Sequence, residues 1–273
     1  ADQAGGNDSL RCSSLTSRAH ARHQLGDTGG AKADFGAATA LENEPRLYSI
    51  RGQWCARHCL DLGEIAASRA IIEAGVDVAH RQMWNDEPPG WHSLFARLAL
   101  AEGGDPQPHL SEIRKWTART GDMERIIEAH LLAARAALQR LVDLPAALAE
   151  AEDGLRQAQL CGYRLKEIEL LITRSAIRLA WPDANAALAD ARRALDLATE
   201  PECGDAWGEA DAAHAWGLAF VALGQHDHAR RAFTQALAVR ERIQHPKAEA
   251  TRLALQRFGR GDASAQTPDR VLR

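Results

Sequence analysis

Apolar residues recur at helical spacing along nearly the whole chain, and the pattern is sharpest from Ala213 to Leu237, AHAWGLAFVALGQHDHARRAFTQAL. Ala213, Trp216, Gly217 and Phe220 stand at i, i+3, i+4 and i+7, one face of a helix. Ala229, Ala232, Phe233, Ala236 and Leu237 repeat that face further on. Between them Gly224 stands where a helix must end in a left-handed residue, which glycine adopts at least cost. The pattern predicts two amphipathic helices joined by a tight turn. Gly217 and Ala229 are small where the helices must approach, and Phe220 and Phe233 fill the space beside them.

The same signals extend along the chain. Residues 1–8 are small and polar and are expected to be disordered; a first helix is predicted over 9–25. GAKADFGAATAL then supplies Ala31, Phe35 and Ala38 at the spacing of Ala229, Phe233 and Ala236, with Arg22 where Phe220 stands in the later unit. Helices follow over 47–62 and 64–83. NDEPPG (85–90) reads as a break, because paired prolines and a glycine cannot continue a helix. Further helices are predicted over 91–102, 107–120, 122–142, 145–160, 164–180 and 183–199, then the pair around Gly224, and a last one over 247–258. The repeat register is lost over 91–120. Small residues recur about 40 residues apart, as at Gly154, Ala194 and Ala236.

Gly217, Phe220, Gly224, Ala229, Phe233 and Ala236 resemble, in type and spacing, the signature of a tetratricopeptide repeat. The resemblance implies an all-α solenoid over 9–258: a right-handed superhelix of about six helix pairs plus a C-terminal capping helix, followed by a disordered tail, 259–273. The period exceeds the usual ~34 residues, so the helices or linkers are longer than average. The segments LYSIRGQWCARHCLDLGE and AHLLAARAALQRLVDLPAALAEAEDGLRQAQLCGYRLKEIELLITRSAIRLA resemble something narrower, the C-terminal tetratricopeptide region of bacterial STAND-class NTPases, including NACHT-type proteins. That resemblance implies a sensor whose repeats recognise a trigger, apart from the nucleotide-binding module.

Composition narrows the function classes. Hydrophobic residues make up 45% of the 273 and aromatics 5%, which suits helices packed on alanine and leucine. Lys and Arg total 33 against 37 Asp and Glu, so no global positive charge favours nucleic acid. No apolar run reaches the ~18 residues of a membrane span. Five scattered cysteines suit reduced thiols in a cytoplasm.

Candidate chemistry is sparse. Cys55, His58 and Cys59 lie within about one turn and have the residue types of a zinc site, but no second ligand pair accompanies them, and core cysteines are the expected reading. His226 and His228 flank Asp227 in a turn, where histidines are ordinarily solvated. No P-loop pattern and no Ser/His/Asp set is present, so no cofactor, metal or catalytic residue is expected. Trp84 and Trp91 flank the NDEPPG break, either as loop anchors for a partner or folded back onto their own helices.

The face used by tetratricopeptide proteins is the inner groove, lined by the first helix of each pair. Projecting the register of the best repeat puts His20, His23, Gln24, Gln53, Arg57, Gln139, Arg140, Glu169 and His214 there, with Ile172, Leu179, Leu218 and Val221 giving one end an apolar character. The expectation is a non-catalytic scaffold binding a protein or peptide on its concave face, with no nucleic acid and no membrane involved. The alternatives are a peptide- or metabolite-responsive regulator and the scaffold subunit of an enzyme complex.

Overall fold

The computed structural model describes residues 2–42, 47–84 and 88–259. Among these residues the fold is all-α, a helical-repeat architecture of the solenoid type, with thirteen helices, no strand and packing mainly between chain neighbours. Two compact units are present, Ala1–Gln139 and Arg140–Arg273.

The first unit holds α1 (Asp2–Gln24), α2 (Thr28–Thr39), α3 (Ser49–Asp61), α4 (Ile65–Arg81), α5 (Pro88–Ala101), α6 (Gln107–Thr120) and the body of α7 (Met123–Arg140). Here α1 packs on α2, α3 on α4 and α5 on α6. The first helices also pack on one another, α1 on α3 and α3 on α5. Among the described residues α2, α4 and α6 make no comparable contact with each other. The first helices therefore form the closer-packed layer of this unit.

Two boundaries differ from expectation. α1 begins at Asp2, well before residue 9. The break at NDEPPG is shorter than predicted, because Pro88, Pro89 and Gly90 form the first turn of α5. First-turn N–H groups have no partner within the helix, so proline loses nothing there, and its fixed φ favours the start. Ser93 Oγ donates back to Pro89 O at 2.9 Å. Residues 85–87 lie outside the described residues.

Trp91 is the largest side chain of this core, only 1% exposed, among Ala56, Cys59, Ile71, Ile72, Leu94 and Leu98. Two glycines make room for it. A Cβ on Gly75 would stand 2.2 Å from the indole Cζ2, and one on Gly52 2.9 Å from Cη2. A second cluster gathers Cys12, Ala19, Ala31, Phe35, Ala38 and Leu47, and a third joins α5, α6 and α7 through Ala96, Leu110, Ile113, Ala129 and Leu132.

The second unit holds α8 (Leu144–Cys161), α9 (Arg164–Ala180), α10 (Ala184–Thr199), α11 (Ala206–Ala222), α12 (His226–Arg242) and α13 (Ala248–Gly259). α9 packs on α8, α10 and α11, α12 packs on α11, and α13 lies on α12. Gly224, at φ 71°, makes the turn between α11 and α12. Gly217 permits their approach: a Cβ there would lie 2.6 Å from the Phe233 ring. Beyond Gly259 the predicted tail falls outside the described residues.

One hairpin is built twice. In α1/α2, Arg18 and Arg22 both grip Asp34, at 2.7 and 2.9 Å. In α9/α10, Arg174 and Arg178 grip Asp190, at 2.6 and 2.8 Å. Asp27 caps α2 through Gly30 N, and Asp183 caps α10 through Ala186 N. Ala31 and Ala38 match Ala187 and Ala194 in the same register, 156 residues apart. The register continues from Gly52, Ala56 and His58 of α3 to Gly208, Ala212 and His214 of α11.

Candidate functional site on the first-helix layer

The first-helix layer of the first unit carries a continuous polar network. His20 on α1 stacks on Trp54 of α3, ring centroids 4.7 Å apart and planes within 10°. One turn on, His23 Nε2 lies 3.1 Å from Asp61 Oδ2. Arg57 donates its Nε–H to both Asp61 oxygens, at 2.8 and 2.7 Å. Behind this surface His23 Nδ1 meets His58 Nδ1 at 3.1 Å. When His23 Nε2 donates to Asp61, its Nδ1 lone pair accepts the His58 Nδ1–H. His58 Nε2 is then left as a buried acceptor, and that atom has no hydrogen-bond partner. Phe35 covers the ring at 5.4 Å. Further along the layer, Arg97 of α5 grips Glu128 of α7 through Nε at 2.6 Å and Nη2 at 2.9 Å.

Charge here is held by geometry. Burial alone would raise the Asp61 carboxyl, but Arg57, His23 and the more distant Arg97 outweigh it and hold it at about 2. Burial first, then His23 and Arg57, push the His20 imidazole down to about 4. Burial and His23 do the same to His58, also to about 4. Near neutral pH the network therefore presents uncharged His20 and His58 rings beside a charged Arg57–Asp61 pair. It offers an aromatic platform and fixed donors and acceptors with little net charge.

The structure brings only part of the predicted set together. His20 and Arg57 are half-buried on this layer, alongside Trp54 and Asp61. Gln53, also half-buried, lies against Gly90 at the start of α5. Gln24 is half-buried near the C-terminus of α1. His23 is 2% exposed and acts from beneath, by orienting Asp61, rather than as open surface. Gln139 is exposed on α7 and donates to Leu100 O at 3.2 Å.

The two loop tryptophans part company. Trp84 is exposed and tilts against Tyr48 at 5.7 Å, and Arg51 lies over that Tyr48 ring at 5.1 Å. Trp91 is not a loop anchor: it is core, because the helix starts at Pro88 and turns the indole inward. Sequence reasoning missed Trp54 and Asp61. Trp54 immediately follows Gln53, and Asp61 stands one turn after Arg57, an i, i+4 arginine–carboxylate spacing that a charge-pair search would find.

In the second unit Arg140 is exposed, and Glu169 is half-buried with Lys166 at 3.6 Å. His214 belongs to a different node. Its Nδ1 lies 3.2 Å from Thr251 Oγ1, which also accepts from Arg240 Nη1 at 2.5 Å. Arg240 Nη2 donates to Asp211 at 2.6 Å, and His245 Nε2 lies 3.4 Å from that carboxylate. Burial, followed by Arg240, lowers the His214 imidazole to about 3. Burial would raise Asp211, but Lys247, Arg240 and His245 hold it well below the usual carboxylate range. This node ties α13 to α11 and α12.

Among the described residues no group of three or more His, Cys, Asp or Glu is placed to hold a metal ion, and no helix is long and apolar enough to cross a membrane.

Neither protein-family models nor curated proteins match this sequence. Solved structures do. The chain is similar to RapI, crystallised in its apo form. The likeness has a TM-score of 0.53 at 11% identity, over 92% of this chain and 71% of that one. It extends the helical-repeat fold to an experimental structure, and at that identity it speaks for the fold alone.

Proposed function

We propose that the chain is a non-catalytic recognition scaffold that binds a protein or peptide on the first-helix layer of its first unit. The observation that carries this reading is the His20–Trp54 stack beside the Arg57–Asp61 pair. Residues from two helix pairs make one aromatic and polar surface, and the side chains are fixed by one another before any partner arrives. Each charge within it is already paired, which suits a surface that selects by shape and hydrogen bonding. RapI supports the repeat architecture on which such surfaces are built.

On this reading the chain works in the cytoplasm, without nucleic acid or membrane, as the sensor portion of a signalling or defence NTPase assembly. The narrower resemblance to STAND-class proteins supports that role. A second reading is a regulator that responds to a peptide or metabolite; the similarity to RapI, crystallised in an apo form, is what favours it. Affinity capture with the purified chain, followed by mass spectrometry, tests the proposal. A stoichiometric protein partner retained by the wild type and lost by Trp54→Ala with Arg57→Glu supports it. A partner retained equally by both removes this surface from the site, and a co-purifying small molecule alone favours the regulator.

A further inference from the structure

Two imidazoles buried beneath the recognition surface share one proton between their facing nitrogens. His23 and His58 are each 2% exposed. His23 Nε2 lies 3.1 Å from Asp61 Oδ2, and His23 Nδ1 lies 3.1 Å from His58 Nδ1. Two N–H groups pointed at each other at that distance repel, so the Nδ1 pair holds a single proton. Another proton sits on His23 Nε2, directed at Asp61. The last ring nitrogen, His58 Nε2, is buried with no hydrogen-bond partner among the described residues, and Phe35 lies against its ring at 5.4 Å.

A further proton has one place to go in these two rings, His58 Nε2. There it makes a buried N–H without an acceptor on a charged ring, which is costly. The carboxylates that would favour the charge are taken, Asp61 by Arg57 at 2.7 Å and Glu64 by Lys32 of α2 at 2.6 Å. His20 on α1 and Arg97 on α5, which also face the network, bring no negative charge. Burial, then His23, accordingly push the His58 imidazole down to about 4. Acid relieves the conflict only by turning the His58 ring out to water, which parts α3 from α1. The second unit shows that the hairpin does not need this arrangement. At the matching positions α9 and α11 keep His214 for His58 but carry Leu179 for His23, Ala213 for Arg57 and Gly217 for Asp61, and His214 Nδ1 meets Thr251 Oγ1 instead.

We propose that Asp61, His23 and His58 form an acid-sensitive latch on the recognition surface. Closed near neutral pH, the latch holds α1 against α3 and keeps His20 stacked on Trp54. In acid it opens, the surface comes apart, and the bound protein or peptide is released. The open form takes up the proton that the closed form refuses, so each pH unit below about 6.5 favours opening by up to about tenfold. This regulation rests on the recognition reading above, but the latch itself can be read in the free chain.

The test is an NMR titration of the isotope-labelled full chain, without any partner, from about pH 7 to about pH 4. At neutral pH His58 is expected as the Nδ1–H tautomer with Nε2 bare. A proton on His58 Nε2 at neutral pH would overturn the proposal, and this readout needs no variant. On acidification the nuclear Overhauser contact between the His20 and Trp54 rings is expected to vanish as His58 becomes charged. His58→Asn keeps an N–H donor near the Nδ1 position but does not titrate. In that variant, with helicity checked by circular dichroism, the contact is expected to survive to a pH at least about one unit lower. Loss at the same pH in both chains, or a charged His58 with the contact intact, would overturn the latch. Because no partner enters the measurement, a failure to capture one counts against the recognition reading alone.

Discussion

Arg97 on α5 and Glu128 on α7 form a two-pronged ion pair whose side chains are only 8% and 3% exposed. Such a pair is costly to assemble, because both ions leave water, and costlier to break, because one charge is left buried alone. Glu128→Ala is expected to destabilise the first unit by about 3–5 kcal/mol, whereas replacing both residues by apolar side chains of similar volume costs far less. A double-mutant cycle in urea melts measures the difference. Additive losses would show that the two residues act independently.

Glycines divide into two kinds. Gly217 faces the Phe233 ring at 2.6 Å, so Gly217→Leu wedges α11 from α12 and is expected to cost about 1–3 kcal/mol or more. Gly36, inside α2, has nothing within 4 Å of a built Cβ. Gly36→Ala is expected to stabilise by about 0.5–1 kcal/mol. Thermal melts of the two variants should move in opposite directions.

The twin hairpins separate a surface ion pair from a sheltered one. Arg18 and Arg22 are 56% and 37% exposed, against 17% and 20% for Arg174 and Arg178. Removing the carboxylate therefore strands two hydrated cations in the first hairpin and two desolvated ones in the second. Asp190→Ala is expected to cost about 3–5 kcal/mol and Asp34→Ala about 1 kcal/mol, measured by chemical denaturation. Equal losses would mean that exposure of the arginines does not govern the clasp.

His214 gives a pH dependence of known sign. Its folded value, about 3, lies below that of the unfolded chain, so between these values the unfolded chain holds a proton that the folded chain does not. Its contribution is complete above about pH 6.5 and is lost as pH falls. One such proton is worth up to about 2 kcal/mol between about pH 7 and 5. His20 and His58 act in the same direction. Asp61, lowered to about 2, contributes fully throughout that window and weakens only in stronger acid. The stability of the second unit should fall from pH 7 to 5, and His214→Asn should flatten the slope. An unchanged slope would remove His214 as its source.

Helix positions were largely legible because the information is local. Small residues every third or fourth place marked the packed faces, and Gly224 marked its turn. Where local rules misled, the competing rule was also local: proline is excluded from helix interiors yet favoured in the first turn, which is why α5 starts at Pro88. The site was less legible. The projected register put His20 and Arg57 on one face but passed over Trp54, on which His20 stacks. Nothing near His23 announces that it lies under Asp61, 38 positions away, or against His58. Trp91 read equally well as anchor or core until Gly52 and Gly75 were seen to shape a slot for it. The Arg18–Arg22–Asp34 set was present in the sequence a second time as Arg174, Arg178 and Asp190, a repeated charge pattern that a search confined to apolar periodicity passes over.

The most direct test of recognition on the first-helix layer is hydrogen–deuterium exchange of the chain with and without its captured partner. The account predicts slowed exchange in α1 around His20 and in α3 from Gln53 to Asp61, with α2 and α4 unchanged. Protection confined to α2, α4 and α6, with α1 and α3 unaffected, would contradict it.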